Sequence, residues 1–496
     1  MKIQLVFAPP KSGGSFAEMS EGVMPPLGIL SVAAYVRDRM PGLELRVTDG
    51  LRAGFAATLA EIERFQPRIL GISINTPCAL SAYALIDAVK ARRPETFVVT
   101  GGPHATALPE ECLTRSQADA VVRGEGEETF LELCRAVAGQ SASAPPELGA
   151  IAGIAFRDGP RVAITPTRPY IPSLDSIPFP ARDLLDLPSY QGWYLTRQPP
   201  DTPMLFSRGC AFRCTFCSNK VWNLSEPRLR FRSPDSIADE MAFLKERYGI
   251  REVFDNSDEF NNSLTHAKAV CRKLIERKLG LTWKTQLRAK PLDEELVSLM
   301  AESGCWYVHL GIESGNEATL RGTRKGVTLP EVEAACALLK KHGIRVLGLF
   351  MLFNAWEEDG ELRFEDAAMT ERTLSFAEGL YRRKLMDYFG WSITMPYPGS
   401  PLYDIALKHG IIKPHLADDW DRWVREEFSV LNLPGVSDRD VARLKTRGSW
   451  LRARCMLRSG GFGLKDALYI ARKALRVVKN ELVSGPRESG GDGPAR

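Results

Sequence analysis

The sequence predicts an α/β fold: a doubly wound parallel sheet, then a parallel barrel of βα units, then a mostly helical C-terminal region. Three observations carry this. Short apolar strands alternate with helical patterns in two long stretches of the chain, the spacing that builds parallel sheets. A proline-rich run separates the two stretches. A chain of 496 residues is too long for one ordinary core, so two or three domains are expected.

The first stretch is residues 1–140. Strands are expected at 3–8, 43–48, 69–74, 97–100 and 118–123, and helices at 27–39, 56–65, 81–92 and 127–138. Ligands on such sheets bind at the carboxyl ends of the strands. Those ends carry small and polar residues: Gly71-Ile72-Ser73-Ile74-Asn75-Thr76, Gly101-Gly102-Pro103-His104 and Arg123-Gly124-Glu125-Gly126-Glu127. Glycine lets a backbone approach a bulky ligand, but it also ends strands in any fold of this class. The glycines alone leave both readings open.

Residues 141–200 read as a linker. Ser141-Ala142-Ser143-Ala144-Pro145-Pro146 is a flexible joint. Segments 154–157 and 161–166 form a hairpin around Asp158-Gly159. The prolines from Pro166 to Pro200 stiffen the rest into a strap.

The barrel is residues 201–405. A strand at 204–207 leads into a cysteine-bearing loop. Ser233-Pro234 starts a helix over 236–248, with serine as cap and proline in the first turn. Strands at 252–255, 282–286, 307–311 and 345–350 alternate with helices at 265–278, 293–303 and 329–342. Gly343 reads as a helix C-cap and His342 as a cation at the helix end. His309, inside an apolar strand, reads as a core or lining residue. Residues 354–365 are an acidic insertion, read as a solvated loop ahead of a pocket wall.

Residues 406–484 are expected to be helical and 485–496 disordered. Leu464, Ala467, Leu468, Ala471, Leu475 and Val478 share one helical face, ringed by Lys465, Arg472, Lys473, Arg476 and Lys479. Packing on the barrel with a solvated basic face is expected ahead of peripheral contact with anionic lipid. Nucleic acid is not expected as a partner.

Composition narrows the class. With 44% hydrophobic and 25% charged residues the chain is globular, and a net charge of +4 points to no particular partner. Ten cysteines, scattered apart from one group, are not a disulfide framework and suit a reducing compartment. The first residues lack a signal-peptide pattern, and no apolar run approaches the ~20 residues that span a bilayer. A cytoplasmic protein is expected.

That one group is Cys210, Cys214 and Cys217, spaced C-x3-C-x2-C just past a strand, where parallel barrels place their chemistry. Three thiolates this close can face one metal centre. A closed [4Fe–4S] cluster takes four cysteines, so three leave one iron open. Structural zinc takes four protein ligands, and neither a fourth cysteine nor a histidine follows nearby. An iron–sulfur site is therefore preferred over zinc or plain packing. Other polar residues gather past the barrel strands: Asp258 and Glu259, Gln286 and Arg288, Glu313 and Ser314. A carboxylate suits ribose hydroxyls and a guanidinium suits a carboxylate.

The cysteine run, with Phe216 before the third cysteine and Ser207-Arg208-Gly209 and Ser218-Asn219 flanking it, resembles the signature of radical S-adenosylmethionine (SAM) enzymes. The resemblance implies a six-unit (β/α)6 barrel. It implies that Cys210, Cys214 and Cys217 hold a [4Fe–4S] cluster whose fourth iron takes SAM. It places Glu313 and Ser314 near SAM, with Glu313 on the ribose, Arg288 near the carboxylate and the Phe216 backbone at adenine. Asp258, Glu259 and Tyr397 are candidates for the catalytic cavity.

The first domain resembles the Rossmann-like, flavodoxin-type cobalamin-binding domain that precedes many radical SAM domains. Pro25-Pro26-Leu27-Gly28 and the 101–104 and 123–127 segments carry the likeness, while Ile177-Pro178-Phe179-Pro180-Ala181-Arg182 resembles the linker of such proteins and Met395-Pro396-Tyr397-Pro398-Gly399 their barrel-closing segment. It implies cobalamin contacts at Ser73, Gly101, Gly102, His104, Gly124 and Glu125. One feature departs: Pro9-Pro10-Lys11-Ser12-Gly13-Gly14 lacks the cobalt-ligating histidine of methionine-synthase-type domains, so no histidine is expected on cobalt.

The implied activity is cobalamin-dependent radical SAM methyl transfer: a 5′-deoxyadenosyl radical takes hydrogen from substrate, and methylcobalamin delivers methyl. The alternatives are a cobalamin radical SAM enzyme that closes or rearranges a ring, and a tRNA methylthiotransferase-like enzyme. The last carries three further cysteines after its first strand, whereas Cys78, Cys112 and Cys134 lie elsewhere. A low-potential donor of the flavodoxin or ferredoxin type is the implied partner, and the substrate is a small or lipid-linked molecule.

Overall fold

A computed structural model describes residues 1–10, 24–139, 146–190, 195–424 and 429–458. The first unit alternates strand and helix: β1 Lys2–Phe7, α1 Leu27–Arg39, β2 Glu44–Asp49, α2 Gly50–Phe65, β3 Ile69–Ser73, α3 Ala79–Arg92, β4 Phe97–Gly101, then short helices α4 Gly102–Ala107 and α5 Pro109–Thr114, β5 Ala120–Val122 and α6 Glu127–Ala138. Two antiparallel strands follow, β6 Ile154–Asp158 and β7 Arg161–Ile164. The sheet order is β2-β1-β3-β4-β5-β6-β7, parallel through β5. The first five strands follow the flavodoxin order, whose ligand crevice lies outside the carboxyl ends of β1 and β3. The hairpin pairs with β5 and extends this sheet instead of lying free in a linker. Its turn uses Gly159, at a φ of +59°.

The second unit begins with β8 Asp201–Met204 and β9 Ser207–Arg208, then α7 Asn219–Trp222, β10 Arg230–Phe231, α8 Pro234–Tyr248, β11 Glu252–Asp255, α9 Leu264–Arg277, β12 Thr282–Arg288, α10 Glu294–Glu302 and β13 Cys305–Glu313. It continues through α11 Glu317–Gly322, α12 Leu329–Lys341, β14 Arg345–Leu352, β15 Ala355–Glu358, β16 Glu361–Phe364, α13 Ala367–Arg382, β17 Tyr388–Ile393, α14 Pro401–Lys408 and α15 Asp438–Arg458. Its six-stranded parallel sheet runs β17-β14-β13-β12-β11-β8, an open half-barrel whose end strands do not pair. Local chemistry sets the helix ends. Ser233 Oγ accepts from Ser236 N at 3.1 Å with Pro234 in the first turn, and Gly249 ends α8 at a φ of +66°.

Further expectations change here, and β17 with the helix α13 before it adds a βα unit beyond those expected. The single strand expected at 204–207 is two: β8 joins the barrel sheet, and β9 pairs with β10. The acidic insertion is not a solvated loop but the hairpin β15–β16, anchored by buried Ala355 and Trp356. In α15, Leu444, Leu451 and Cys455 are buried. The basic face at 464–479 and the tail at 485–496 lie outside the described residues.

Candidate active site between the two sheets

A cavity of about 710 Å³ opens between the units. One wall is the strand ends of the first sheet, with Phe7, Ser73, Gly101 and Gly124. The other is the barrel mouth, with Leu205, Arg208 and Asp258. The strap closes one side with Ile177, Pro178 and Phe179. A Cβ on Gly101 would meet nothing nearer than 3.7 Å, so this edge offers bare backbone to a large ligand. Size, open edge and largely apolar walls suit a macrocycle such as a corrin.

The cysteine loop, 209–229, is tied at its neck by β9 and β10, with Arg208 opposite Arg230. Gly209 is essential there: its φ is +88°, and a Cβ would stand 1.8 Å from the Arg228 carbonyl oxygen. Thr215 N donates to Thr323 O at 3.0 Å, and Thr215 O accepts from Leu402 N at 2.8 Å. Asn262 Oδ1 accepts from Ala211 N at 3.2 Å, and Asn219 Nδ2 donates to Phe212 O at 3.0 Å.

Cys214 is buried, Cys210 half-buried and Cys217 exposed. Crowding by protein atoms, with the nearby Glu259, Asp258 and Cys214 adding to it, pushes the half-buried Cys210 up to about 12. At neutral pH Cys210 is a thiol, and a bound metal is what turns it to a thiolate. Among the described residues no three His, Cys, Asp or Glu side chains converge on a point that one metal ion could fill. The thiolates of a cluster each take a different iron and need no such point.

The polar groups beside the cysteines form a second layer. Arg288 is buried, its guanidinium 3.8 Å from the Phe212 ring centre and its Nη1 3.5 Å from Cys214 Sγ. Asn261 fixes that strand end, accepting from Arg288 N at 3.1 Å and donating to Arg288 O at 2.8 Å. Glu313, at a φ of +70°, accepts from Lys325 Nζ at 3.0 Å. Burial opposes the Lys325 charge, but Glu313 and then Glu259 outweigh it and raise its pKa. Burial raises Glu259 to about 7 despite Lys325 and Arg288. It also raises Asp258. Arg288 Nε and Glu259 Oε2 are buried without partners, an open donor and an open acceptor that an amino-acid moiety such as that of SAM would satisfy.

The remaining candidates are placed as follows. Ser73, Gly101, Gly102, Gly124, Glu125 and Asp258 line the cavity. Phe216 packs against the barrel core. Ser314 is turned away: its hydroxyl donates to buried Glu365 at 2.6 Å, which leaves only its backbone for a ligand. His104 also faces away, because the short helix α4 turns it into a second core. There it lies 3.0 Å from Tyr83 Oη and 3.3 Å from Thr76 Oγ1, with Trp420 against its ring. Burial, then Arg115, lowers its pKa to about 3 and keeps it neutral. Tyr397 Oη donates to Trp423 O at 2.7 Å, so the side chain serves that packing. His309 is held between Phe254 and Tyr307, as a lining residue should be. Sequence reasoning missed Lys325 and Arg230. Lys325 follows a helix, not a strand, so the strand-end rule did not reach it.

Residues 16–134 match the family model of the B12 binding domain, and residues 204–362 that of the radical SAM superfamily. An uncharacterized methyltransferase of Pyrococcus horikoshii is 30% identical over 487 residues, 96% of this chain and 98% of that protein. The chain belongs to the cobalamin-dependent radical SAM family. It is a radical SAM enzyme, and the cofactors of this family are a [4Fe–4S] cluster, SAM and cobalamin. The anaerobic magnesium-protoporphyrin IX monomethyl ester cyclase of Rubrivivax gelatinosus is 30% identical, over 69% of this chain and 59% of its own. In fold the chain is similar to the radical SAM methyltransferase TsrM from Kitasatospora setae, solved with cobalamin and a [4Fe–4S] cluster. There the TM-score is 0.64 at 19% identity, over 97% of this chain and 99% of that one.

Proposed function

We propose that this enzyme methylates an unactivated position of a small or lipid-linked molecule. The observation that carries this is the shared cavity, in which the strand ends of a B12-binding sheet face the mouth of a radical SAM barrel. When bound, the cluster and SAM supply a hydrogen-abstracting radical and cobalamin supplies a methyl carrier. The chain's own residues then have separable tasks. Cys210, Cys214 and Cys217 hold the cluster. Arg288, Glu259, Glu313 and Lys325 orient SAM by charge. Ser73, Gly101, Gly102, Gly124 and Glu125 border cobalamin. The strap and the sheet ends wall the space between the two cofactors. Asp258 is a carboxylate on the barrel side of the cavity wall and a candidate for contact with substrate.

The donor of the first electron is a low-potential flavodoxin- or ferredoxin-type protein, and the compartment is the reducing cytoplasm. Arg213, Arg321 and Arg324 support an acidic donor. All three are exposed, and each lies within two residues of the bond between Thr215 N and Thr323 O. A peripheral lipid contact through residues 464–479 predicts that anionic liposomes retain the full chain but not a chain ending before Leu464; equal retention refutes it.

The likeness to the cyclase supports a second reading, radical ring closure without methyl transfer. Incubating the reduced, cobalamin-loaded protein anaerobically with methyl-labelled SAM separates the two. S-adenosylhomocysteine forming beside 5′-deoxyadenosine supports methyl transfer, and 5′-deoxyadenosine alone supports ring closure.

A further inference from the structure

Two arginines close the neck of the cluster loop, and their counter-charge comes from the other domain. Arg208 and Arg230 are direct cross-strand partners in a ladder only two residues long. Like charges directly opposite one another weaken a ladder, and this one has few other bonds to resist them. Glu125, between β5 and α6 of the first domain, sits between the two. Its Oε1 lies 3.1 Å from Arg208 Nη1 and 2.6 Å from Arg230 Nη2, and its Oε2 lies 2.9 Å from Arg230 Nη1. Arg208 Nη2 continues to Glu127 Oε1 at 2.6 Å and Ser31 Oγ at 3.1 Å. Arg230 also donates to Ile171 O at 2.9 Å and lies over the Tyr170 ring. The Arg230 side chain is only 4% exposed, so water screens little of the repulsion. Glu125 also borders the cavity.

We propose that Glu125 is a positioning residue that ties the shape of the cluster loop to docking of the cobalamin domain. Without its carboxylate, Arg208 and Arg230 push the neck apart, and the three cysteines lose the frame that brings them to one cluster. SAM cleavage is thereby confined to a chain whose two domains are seated together. This rests on the radical SAM reading of the loop, but the clamp has a readout of its own.

The test compares wild type, Glu125→Gln and the double variant Glu125→Gln with Arg230→Gln, all full length. The single variant keeps the shape of the carboxylate and removes its charge; the double variant also removes one of the repelling cations. Amide hydrogen exchange across residues 209–229 is measured first. Exchange about tenfold faster in the single variant, returning towards wild type in the double, is the expected result. General destabilisation cannot produce that recovery, because the double variant has lost more hydrogen bonds. The second readout is the change that SAM causes in the electron paramagnetic resonance spectrum of the reduced cluster, expected to be lost in the single variant and regained in the double. Wild-type exchange in Glu125→Gln, or a double variant no better protected than the single, overturns the proposal. Recovery of protection in a protein whose wild type shows no response to SAM leaves the clamp standing and removes the enzymatic reading instead.

Discussion

Replacing Glu259 with glutamine should stabilise the metal-free protein at alkaline pH while impairing SAM cleavage. Burial raises this carboxyl from 4.5 to about 7, even with Lys325 and Arg288 pulling the other way. Each factor of ten in proton affinity is worth about 1.4 kcal/mol. Between 4.5 and 7 the folded chain holds a proton that the unfolded chain has released, so stability falls as pH rises through that window and is level above it. Holding the carboxylate ionised at pH 8 therefore costs the fold roughly 3 kcal/mol, against less than about 1 kcal/mol at pH 5. Urea denaturation at the two pH values checks this. The slope of a 496-residue chain exceeds the roughly 1–3 kcal/mol per molar of small proteins in urea, so Glu259→Gln should raise the midpoint by roughly half a molar at pH 8 and much less at pH 5. A variant less stable than wild type at pH 8 would mean that attraction to Lys325 and Arg288 exceeds the cost of burial, and would refute the reasoning.

Two further substitutions test other parts of the frame. Gly209→Ala puts a carbon against the Arg228 carbonyl at a left-handed position; reconstituted iron should fall from about four per chain to under one, and wild-type iron would show that the neck is less rigid than its geometry. Glu240 is buried and takes hydrogen bonds from Arg182 at 2.6 Å and from Arg232. Glu240→Gln should cost roughly 3–5 kcal/mol, lowering the melting midpoint of the 496-residue chain by about 4 °C, and an unchanged melt would show that the strap is not anchored there. Burial alone would raise the Glu240 carboxyl, but Arg182 and then Arg232 hold it below 4.5. Its contribution is thus complete above 4.5 and lost as pH falls through the lowered value.

What was legible in the sequence was local. Most strands and helices of both sheets follow from apolar periodicity, and α1 and α6 keep the bounds their patterns set, but the edge strand β17 and the helix α13 before it were not read from the sequence. The cysteine loop and the glycine-bearing strand ends were legible because their spacing is short. Contacts between distant residues were not. Glu125 meets Arg208 and Arg230 across 83 and 105 residues, and no periodicity marks such a pair. Side-chain direction was also hidden. Ser314 follows a strand end as expected, yet its hydroxyl serves Glu365, 51 residues away. The two short helices after β4 turn His104 away from the cavity, and nothing in Gly101-Gly102-Pro103-His104 announces them. The hairpin at 154–164 was legible as a hairpin, but its pairing with β5 depends on a free sheet edge that only the fold supplies.

The most direct test of a shared two-cofactor cavity is a metal count on one preparation. The protein is reconstituted anaerobically with iron, sulfide and hydroxocobalamin, desalted, and its iron, cobalt and visible spectrum recorded. About four irons and one cobalt per chain, with the cobalt lost in Gly101→Trp while the iron stays, is the expected result. Four irons without cobalt in the wild type would contradict it, because the cavity between the sheets would then hold something other than cobalamin.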